Sequence, residues 1–460
     1  MTNARVGKSK IGLDLTEGSI AKLLIIFALP MIMTNLIQQL YSTVDLIIIG
    51  KNMGPVGTVG VSTGGELSDI MTPIATAFAT AGQIYIAQLM GAREKDRVKE
   101  TIGTLVSLMM LISVVIMIAV IVFNAGILRL LNCPEDAFTQ AQAYMIITAV
   151  GMPFIFGYNA ICGILRGMGE SKRPLIFIIV AAVINVVLDI LLVAVFHLEA
   201  AGTAIATVIS QFGSFTASFL YMYKRKEHFG FQLKVSYFRI RWDVCKIILK
   251  LGIPQLIRVS LVRFSMLWIN ANINSYGLIV SATNSVGNKI NKFLEVFTQG
   301  VDSAAGAMIG QNLGARKTDR TKKIVWTSLV YSLILGGICI LLVLLLPTKL
   351  YAFFTDDPEV IEFGITYLRI LAVAIFVTSV IGPFNAVITG SGFVSLGFAI
   401  GILDGMICRI GFSLIYVNVL QLGPLSYFWG TATCRILPCI LCMWYFFSGR
   451  WETRKLLTVK

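Results

Sequence analysis

Twelve long apolar stretches, separated by short polar breaks, make up most of this chain of 460 residues. Each is long enough to cross a bilayer as a helix, which takes roughly 20 mostly apolar residues. The predicted spans of the first half are 20–50, 57–90, 101–125, 138–165, 174–196 and 201–223. Those of the second half are 246–274, 279–312, 324–347, 359–389, 394–419 and 423–447. The pattern predicts an all-α membrane protein.

The composition supports this interpretation. Hydrophobic residues make up 56% of the chain and charged residues 13%, and the mean hydropathy is +0.81, beyond the range of soluble globular proteins. The first apolar stretch runs from residue 20 to residue 50 without a small-residue cleavage site, so we expect a retained helix rather than a signal peptide. Cys439 and Cys442 form a C-x-x-C pair inside an apolar stretch, where packing is expected rather than metal binding.

The basic residues predict the orientation of the chain. With both termini in the cytoplasm, the inside segments hold 26 Lys and Arg residues, and the outside loops hold only Lys51, Arg129 and Lys349. Such an excess inside is the usual signature of membrane orientation. The net charge of +14 is thereby explained without nucleic-acid binding. We expect a multi-pass protein of the plasma (inner) membrane with both termini cytoplasmic.

A charged stretch occurs twice. QLMGAREKDRVK at Gln88–Lys99 returns as QNLGARKTDRTK at Gln311–Lys322, with seven of twelve positions identical at a shift of 223. FALP at 27–30 likewise matches LGIP at 251–254. We expect each charged copy to be a cytoplasmic corner whose Gly permits a turn after a long helix and whose basic residues hold that end inside.

The repeat predicts two homologous six-helix lobes. Because six is even, both halves enter the membrane from the same side, and their pseudo-two-fold axis must run along the membrane normal. The N-lobe (helices 1–6) is predicted at residues 1–230 and the C-lobe (helices 7–12) at 231–460, with a cytoplasmic linker at about 224–246. Two such lobes flanking a central cleft suit alternating access.

Several motifs resemble those of one transporter family. They are FALPMIMTNLIQQLYSTVDLIIIG in helix 1, the two QxxGAR corners, GILRGMGESKRP after helix 4, INVVLDILL in helix 5 and AAGTAIATVISQ at helix 6. In this order on twelve helices, the chain resembles the multidrug and toxic compound extrusion (MATE) transporters over residues 15–447. The resemblance implies secondary active efflux of bulky, often cationic organic compounds in exchange for H⁺ or Na⁺.

The resemblance also implies a site for the coupling ion. Asp45 matches the helix-1 aspartate of the family in the pattern VDxxxxG, and Asn185 and Asp189 match the NxxxD of helix 5. Thr207 falls where the prokaryotic branch with an N-lobe cation site carries a threonine. Another branch binds the ion with acids on helices 7 and 10. The comparable regions here contain Arg258, Arg263, Pro383 and Asn385. The resemblance therefore favours the N-lobe.

The residues themselves support a cation site. A charge within a span costs at least ~2.5 kcal/mol on insertion scales, so it usually faces a cavity or a partner. At about 1.5 Å per residue, Asp45, Asp189, Thr207 and Glu66 lie roughly 9–15 Å below the outer surface, so we expect these four polar groups to share one layer. Paired carboxylates in such surroundings would take up a proton, or Na⁺ with oxygen ligands from Asn185 and Thr207. The alternative is that Asp189 and Asn185 only crosslink helices.

Other polar and soft side chains are candidates for a substrate cavity. Such mixed groups suit a promiscuous cavity, although packing accounts equally well for Met and Tyr. The candidates are Asn35, Gln38, Tyr41, Glu66, Asp69, Met152, Tyr158 and Asn159. In the second half, Lys289 and Lys292 stand three and six residues before Glu295, and the spacing predicts a structural ion-pair network. The alternative there is a role in repelling or releasing cations.

We expect a transporter and not an enzyme. The sequence has no HExxH, phosphate-binding loop or DDxxD pattern, and we expect no cofactor beyond H⁺ or Na⁺ as the coupling ion. The expected partners are small-molecule drugs or dyes and the lipid bilayer, and two lobes in one chain make a monomer sufficient. The alternative function is a lipid-linked saccharide flippase of similar architecture, because Arg258 and Arg263 would suit a pyrophosphate.

Overall fold

The computed structural model describes residues 12–229, 235–454 and 456–457, and every regular element in this part of the chain is helical. The six long helices of the first half are α1 (Ile20–Asn52), α2 (Gly54–Gly91), α3 (Lys95–Leu130), α4 (Glu135–Gly167), α5 (Lys172–Asp189) and α6 (Glu199–Lys224). A π-helical segment, Ile190–Val195, continues α5.

The second half contains the matching six helices. They are α7 (Trp242–Asn274), α8 (Leu278–Gly314), α9 (Thr318–Leu345), α10 (Pro358–Ser391), α11 (Val394–Asn418) and α12 (Leu425–Phe447). Helix α11 contains a π-helical segment, Leu403–Ile407, and α12 consists of two parts that meet at Cys434 and Arg435. The prediction of an all-α membrane protein with twelve spanning helices in two six-helix halves is confirmed.

Two of these helices are less apolar than the other ten. Among the described residues, ten helices are both long and apolar enough to cross a membrane. The other two long helices, α7 and α8, have 33 and 37 residues, which is ample for a crossing at 1.5 Å per residue. They carry spanning cations such as Arg263 and Lys292. These charges need a polar environment or a partner within the protein.

The chain forms two compact units. The first contains Met33–Gly252, and the second contains Leu15–Ile32 together with Ile253–Lys460. The first turns of α1 therefore pack within the second unit, and those of α7 pack within the first. The lobe boundary between residues 230 and 231 stays a prediction, because residues 230–234 lie outside the described part of the chain.

Helix α4 is the centre of the first unit and packs against α2, α3 and α6. Its contact with α2 is close because α4 presents glycines there. A side chain at Gly163 would collide with the backbone of Ala79, and one at Gly167 with the backbone of Gln83. Lipid tails are as apolar as a leucine side chain, so helices in a bilayer associate through such close packing rather than through the hydrophobic effect.

The second unit is built in the same way around α8 and α10. Gly287 of α8 faces the ring of Tyr367, and Gly390 of α10 leaves room for Ile309. A buried cluster that includes Tyr351, Leu368 and Phe428 surrounds this contact. These helices provide the framework for the charged residues of this unit.

The two charged repeats form corners, and one detail of the prediction is wrong. Helices α2 and α8 continue through Gly91 and Gly314 in helical conformation. The left-handed residues are instead Arg93 (φ 61°) and Arg316 (φ 57°). In both corners the N–H groups after the last helical turn bond back to its carbonyls, which holds the left-handed turn.

The second corner also holds the chain that leads into α1. The buried side chains of Gln311 and Asn312 bond to the backbone of Leu15, at 3.2 and 3.0 Å. Arg320 donates to the carbonyls of Glu17 and Gly18. The repeated motif thus fixes the entry of a first helix, in addition to its predicted role in orientation.

The first corner makes the equivalent contacts with the chain that leads into α7. Arg97 pairs with Asp243 at 2.6 Å, and Arg241 pairs with Glu100 at 2.9 Å. Each corner therefore contacts the start of the first helix of the other half of the sequence, just before α1 in one case and at the first turn of α7 in the other. This exchange explains why the first turns of α1 and α7 belong to the units described above.

Candidate functional site

Two carboxyl groups lie together inside the first unit. Asp45 belongs to α1, and Asp189 is the last residue of α5 before the π-helical segment. Asp189 is 1% exposed, and its carboxyl group faces that of Asp45 within hydrogen-bonding range. Two carboxylates at such proximity repel each other unless a proton or a cation lies between them.

Apart from the contact between the two carboxyl groups, most polar atoms of this site lack protein partners in the described structure. Among the described residues, Asp45 Oδ1 and both carboxyl oxygens of Asp189 have no hydrogen-bond partner. Asn185, one turn earlier on α5 and 2% exposed, has neither its Oδ1 nor its Nδ2 satisfied. Buried polar groups in native proteins are nearly always paired, so five unpaired atoms in one place indicate a site for a ligand. We name Asp45, Asn185 and Asp189 the carboxyl-pair site.

The π-helical segment begins at this site. Residues Ile190–Val195 widen the helix immediately after Asp189. In α11 the corresponding segment Leu403–Ile407 contains the buried residue Asp404. Short π-helical segments within α-helices are frequent at functional sites. The sequence does not reveal the first of these segments. Every residue of ILLVAV is apolar, so no spacing of polar residues shows where α-helical bonding changes to π-helical bonding.

Thr207 lies on α6, which packs along α5. Both Asp189 oxygens are unpaired, so the Thr207 hydroxyl does not bond to Asp189 in the described structure. Thr203, one turn earlier on α6, is 2% exposed, and its hydroxyl oxygen has no partner either. Sequence reasoning missed Thr203, although its spacing of four from Thr207 in TAIAT places both threonines on one side of α6.

The candidate cavity residues are distributed more widely. Tyr41 lies one turn before Asp45 on α1, and the hydroxyl of Tyr158 contacts the thiol of Cys162 on α4. These tyrosines extend the polar region from the carboxyl pair along α1 and α4. Met152 is fully buried and belongs to the packed interior of α4.

The remaining candidates do not gather around the pair. Asn35 is half-buried and Gln38 is exposed on α1, and Asn159 donates to the carbonyl of Ile155 within its own helix. Glu66 is exposed on α2. The side chain of Asp69 lies outside the described residues.

The chemistry of the carboxyl-pair site suits a proton or Na⁺. Carboxylate and amide oxygens are hard ligands that fit small hard cations. A proton shared by Asp45 and Asp189 would let one carboxyl donate to the other. A bound Na⁺ could instead take both carboxylates and the Asn185 amide oxygen as ligands. Either ion removes the repulsion within the pair.

The charges of the second unit pair differently from the sequence prediction. The partner of Glu295 is Arg435 of α12, with Nη1 at 3.4 Å from Oε1. In the described structure neither Lys289 nor Lys292 forms an ion pair, and both side chains are exposed. The predicted network among Lys289, Lys292 and Glu295 is therefore wrong. Spacing along α8 made the pair possible, but a cation from α12 takes the position.

Arg435 belongs to a larger buried cluster. Its Nε lies 3.5 Å from Asp404 Oδ1, and the same oxygen lies 3.3 Å from Arg409 Nη2. Thr378 accepts a further hydrogen bond from Arg435 at 2.9 Å. The cluster links α8, α10, α11 and α12 through a few shared contacts.

Three comparisons relate the chain to known proteins. A sequence model of the MatE family matches residues 30–191 and again residues 254–415. The chain is 26% identical over 453 residues to the probable multidrug resistance protein YpnP of Bacillus subtilis (strain 168), covering 97% of this chain and 99% of that protein. It is 28% identical over 349 residues, 75% of each chain, to the probable multidrug resistance protein YoeA of the same organism.

The fold has a counterpart among solved structures. An outward-facing conformation of a multidrug resistance MATE family transporter of the MOP superfamily matches with a TM-score of 0.90 at 20% identity, covering 96% of this chain and 99% of that one. At this identity the likeness concerns the fold. The family match is specific, since one family pattern fits each half in turn. The chain therefore belongs to the MatE family, the multidrug and toxic compound extrusion transporters.

Proposed function

We propose that this protein exports bulky organic compounds, cationic ones among them, by antiport with H⁺ or Na⁺ bound at the carboxyl-pair site. Membership of a multidrug efflux family supports export. The observation that carries the coupling is the contact between Asp45 and the buried Asp189, where Asp45 Oδ1 and both Asp189 oxygens have no other partner among the described residues. The alternative function, a lipid-linked saccharide flippase, has less support. Arg258 and Arg263 would suit a pyrophosphate, but the chain matches a family of multidrug exporters.

The pair can couple ion movement to export because its two states differ in charge. With a proton or Na⁺ bound, the site is stable in apolar surroundings. When the ion leaves, two carboxylates face each other, and a conformation that separates or hydrates them is favoured. Exchange follows if drug and ion favour different conformations, since a ligand shifts a conformational equilibrium only by its differential affinity. Alternating access between the two sides of the membrane would then use these conformations.

The sequence leads to expectations about the location, the oligomeric state and the partners of the protein. We expect the protein to act as a monomer in the plasma membrane, with no cofactor other than the coupling ion. Its substrates would be small-molecule drugs or dyes, and no nucleic acid would take part. Both termini would lie in the cytoplasm.

Transport in vesicles tests the proposal. Purified protein would be reconstituted, and ethidium movement followed while an H⁺ gradient or a Na⁺ gradient is imposed separately. One of the two gradients should drive uphill ethidium transport, and collapse of that gradient should stop it. Failure with both ions and several cationic dyes, together with movement of a fluorescent lipid pyrophosphate, would replace the exporter by the flippase.

Cysteine labelling tests the orientation. Cysteines placed at Lys51 and Lys349 should react with an impermeant maleimide from outside, while those at Lys95 and Lys323 should react only after the membrane is opened. All four side chains are exposed, so access reports on sidedness rather than on burial. The native cysteines would first be replaced by serine or alanine. The opposite pattern of labelling would invert the orientation that the basic residues predict.

A further inference from the structure

A cavity with several charged residues in its lining lies within the second unit, in a different half from the carboxyl-pair site. Its volume is about 560 Å³, and its walls come from α7, α8, α10, α11 and α12. That volume is within the usual range for sites that bind small organic molecules.

The lining of this cavity is strongly cationic. Among the described residues that line it, four are basic, namely Arg263, Lys292, Arg409 and Arg435, and only Glu295 is acidic. Asp404 lies behind Arg409 and Arg435 and offsets part of their charge. A net positive lining within a spanning region is costly unless an anion balances it.

Two of these cations, Arg409 and Lys292, keep unused hydrogen-bonding capacity among the described residues. Arg409 is 3% exposed, and its Nε–H has no acceptor in the described structure. Its other contacts are a single 3.3 Å bond to Asp404 and a weak one to the sulfur of Met266. Lys292 lines the cavity and forms no ion pair with any other described residue. A guanidinium has five donors in a planar fork, so this one retains capacity for further oxygens.

The opposite part of the lining is amide and aromatic. Asn284 donates to Asn270 at 2.9 Å, and Asn288 accepts from Tyr367 at 3.4 Å. Tyr367 and Phe428 meet edge to face, with ring centroids 4.8 Å apart. The cavity thus combines cationic groups with aromatic groups, which suits a molecule that has an acidic head and a ring.

We propose that this cavity binds aromatic organic anions, with the carboxylate or phosphate group of the ligand held by Arg263, Lys292 and Arg409. Arginine matches the geometry of both groups through paired N–H donors. The aromatic part of the ligand would lie against Tyr367 and Phe428. This inference concerns binding in the second unit, and it stands whether or not the carboxyl-pair site couples an ion to export.

Two dyes that differ by one carboxylate provide the test. Rhodamine 110 has a free carboxylate, and rhodamine 123 is its methyl ester. Binding of each to the purified full-length protein in an uncharged detergent would be measured by fluorescence anisotropy. The Lys292→Gln variant should weaken the binding of rhodamine 110 by about fivefold, which is the scale of one partly exposed charge-assisted contact. Its affinity for rhodamine 123 should change by less than about twofold.

Lys289→Gln is the matched control. Lys289 is also an exposed lysine of α8, three residues earlier, but it does not line the cavity. This variant should bind both dyes as the unmodified protein does. The Glu295→Gln variant removes the one acidic group among the described lining residues and should tighten the binding of rhodamine 110. General unfolding would not produce this effect, which is opposite to that of Lys292→Gln.

Competition distinguishes the two kinds of head group. Benzoate and phenyl phosphate would be titrated against bound rhodamine 110, and the stronger competitor identifies the preferred group. Competition by neither would overturn the proposal. An equal loss of affinity for both dyes in Lys292→Gln would also overturn it. So would a loss of rhodamine 110 affinity in Lys289→Gln as large as that in Lys292→Gln. Because binding is measured without a gradient, these results are independent of the test of antiport.

Discussion

Replacing Asp189 by asparagine should abolish gradient-driven efflux while leaving drug binding within about tenfold, which corresponds to about 1.4 kcal/mol. The substitution keeps the size of the side chain, so the packing of α5 is preserved, but it removes the second carboxylate. Without that charge, the site no longer distinguishes an ion-bound from an ion-free state. The coupling free energy between ion and drug then disappears, although the drug site remains.

The measurement is paired. Equilibrium binding of ethidium would be determined in detergent, and efflux would be followed in vesicles with an imposed H⁺ or Na⁺ gradient. Asp45→Asn should behave in the same way, because Asp45 supplies the other half of the pair. Asp136→Asn is the matched control, since its carboxylate is exposed in the first turn of α4. Undiminished efflux by well-expressed Asp189→Asn would remove the pair from the mechanism and direct attention to Glu295, Asp302 and Asp404.

The helices could be predicted from the sequence because each spanning segment is apolar over its whole length. Their ends were harder to predict. Helix α3 begins at Lys95 rather than at residue 101, since charged residues before the apolar stretch continue the helix. A hydropathy pattern marks where a helix enters the apolar region and not where its hydrogen bonding begins.

Part of the candidate site could be predicted by estimating the depth of each polar residue below the outer surface of the membrane. Counting residues from the outer surface placed Asp45 and Asp189 in one layer, and in the structure their carboxyl groups face each other. Their role as an ion site remains a proposal. The π-helical segment after Asp189 was beyond sequence reasoning, because a change from i−4 to i−5 bonding in an apolar stretch leaves no pattern of polar residues.

The partner of Glu295 shows why local spacing fails within a helix bundle. A lysine three residues away on the same helix competes with any cation that a neighbouring helix brings to the same point. Here Arg435, 140 positions later in the chain, occupies that point. Its planar fork also reaches Asp404 and Thr378, which a lysine on α8 would not do from the same position.

Replacing Arg435 by glutamine should therefore destabilise the second unit strongly. Glu295 would lose its cation, while Asp404 would retain only Arg409. Removing one partner of a fully buried ion pair costs about 3–5 kcal/mol, and the partial exposure of Arg435 and Glu295 lowers the cost here. We expect a large loss of folded protein and a lower midpoint of heat unfolding. Both would be measured by size-exclusion chromatography of a fluorescent fusion, before and after heating.

A double variant separates this cause from a simple loss of packing. Arg435→Gln combined with Glu295→Gln removes both charges and should recover much of the folded yield, because no charge is then left without a partner on that side of the cluster. Lys289→Gln is the control for removing a spanning cation that has no ion pair, and it should fold as the unmodified protein does. A normal yield and midpoint for Arg435→Gln would show that the pair contributes nothing to stability. The same low yield in the single and double variants would assign the loss to the contact with Thr378 or to packing instead.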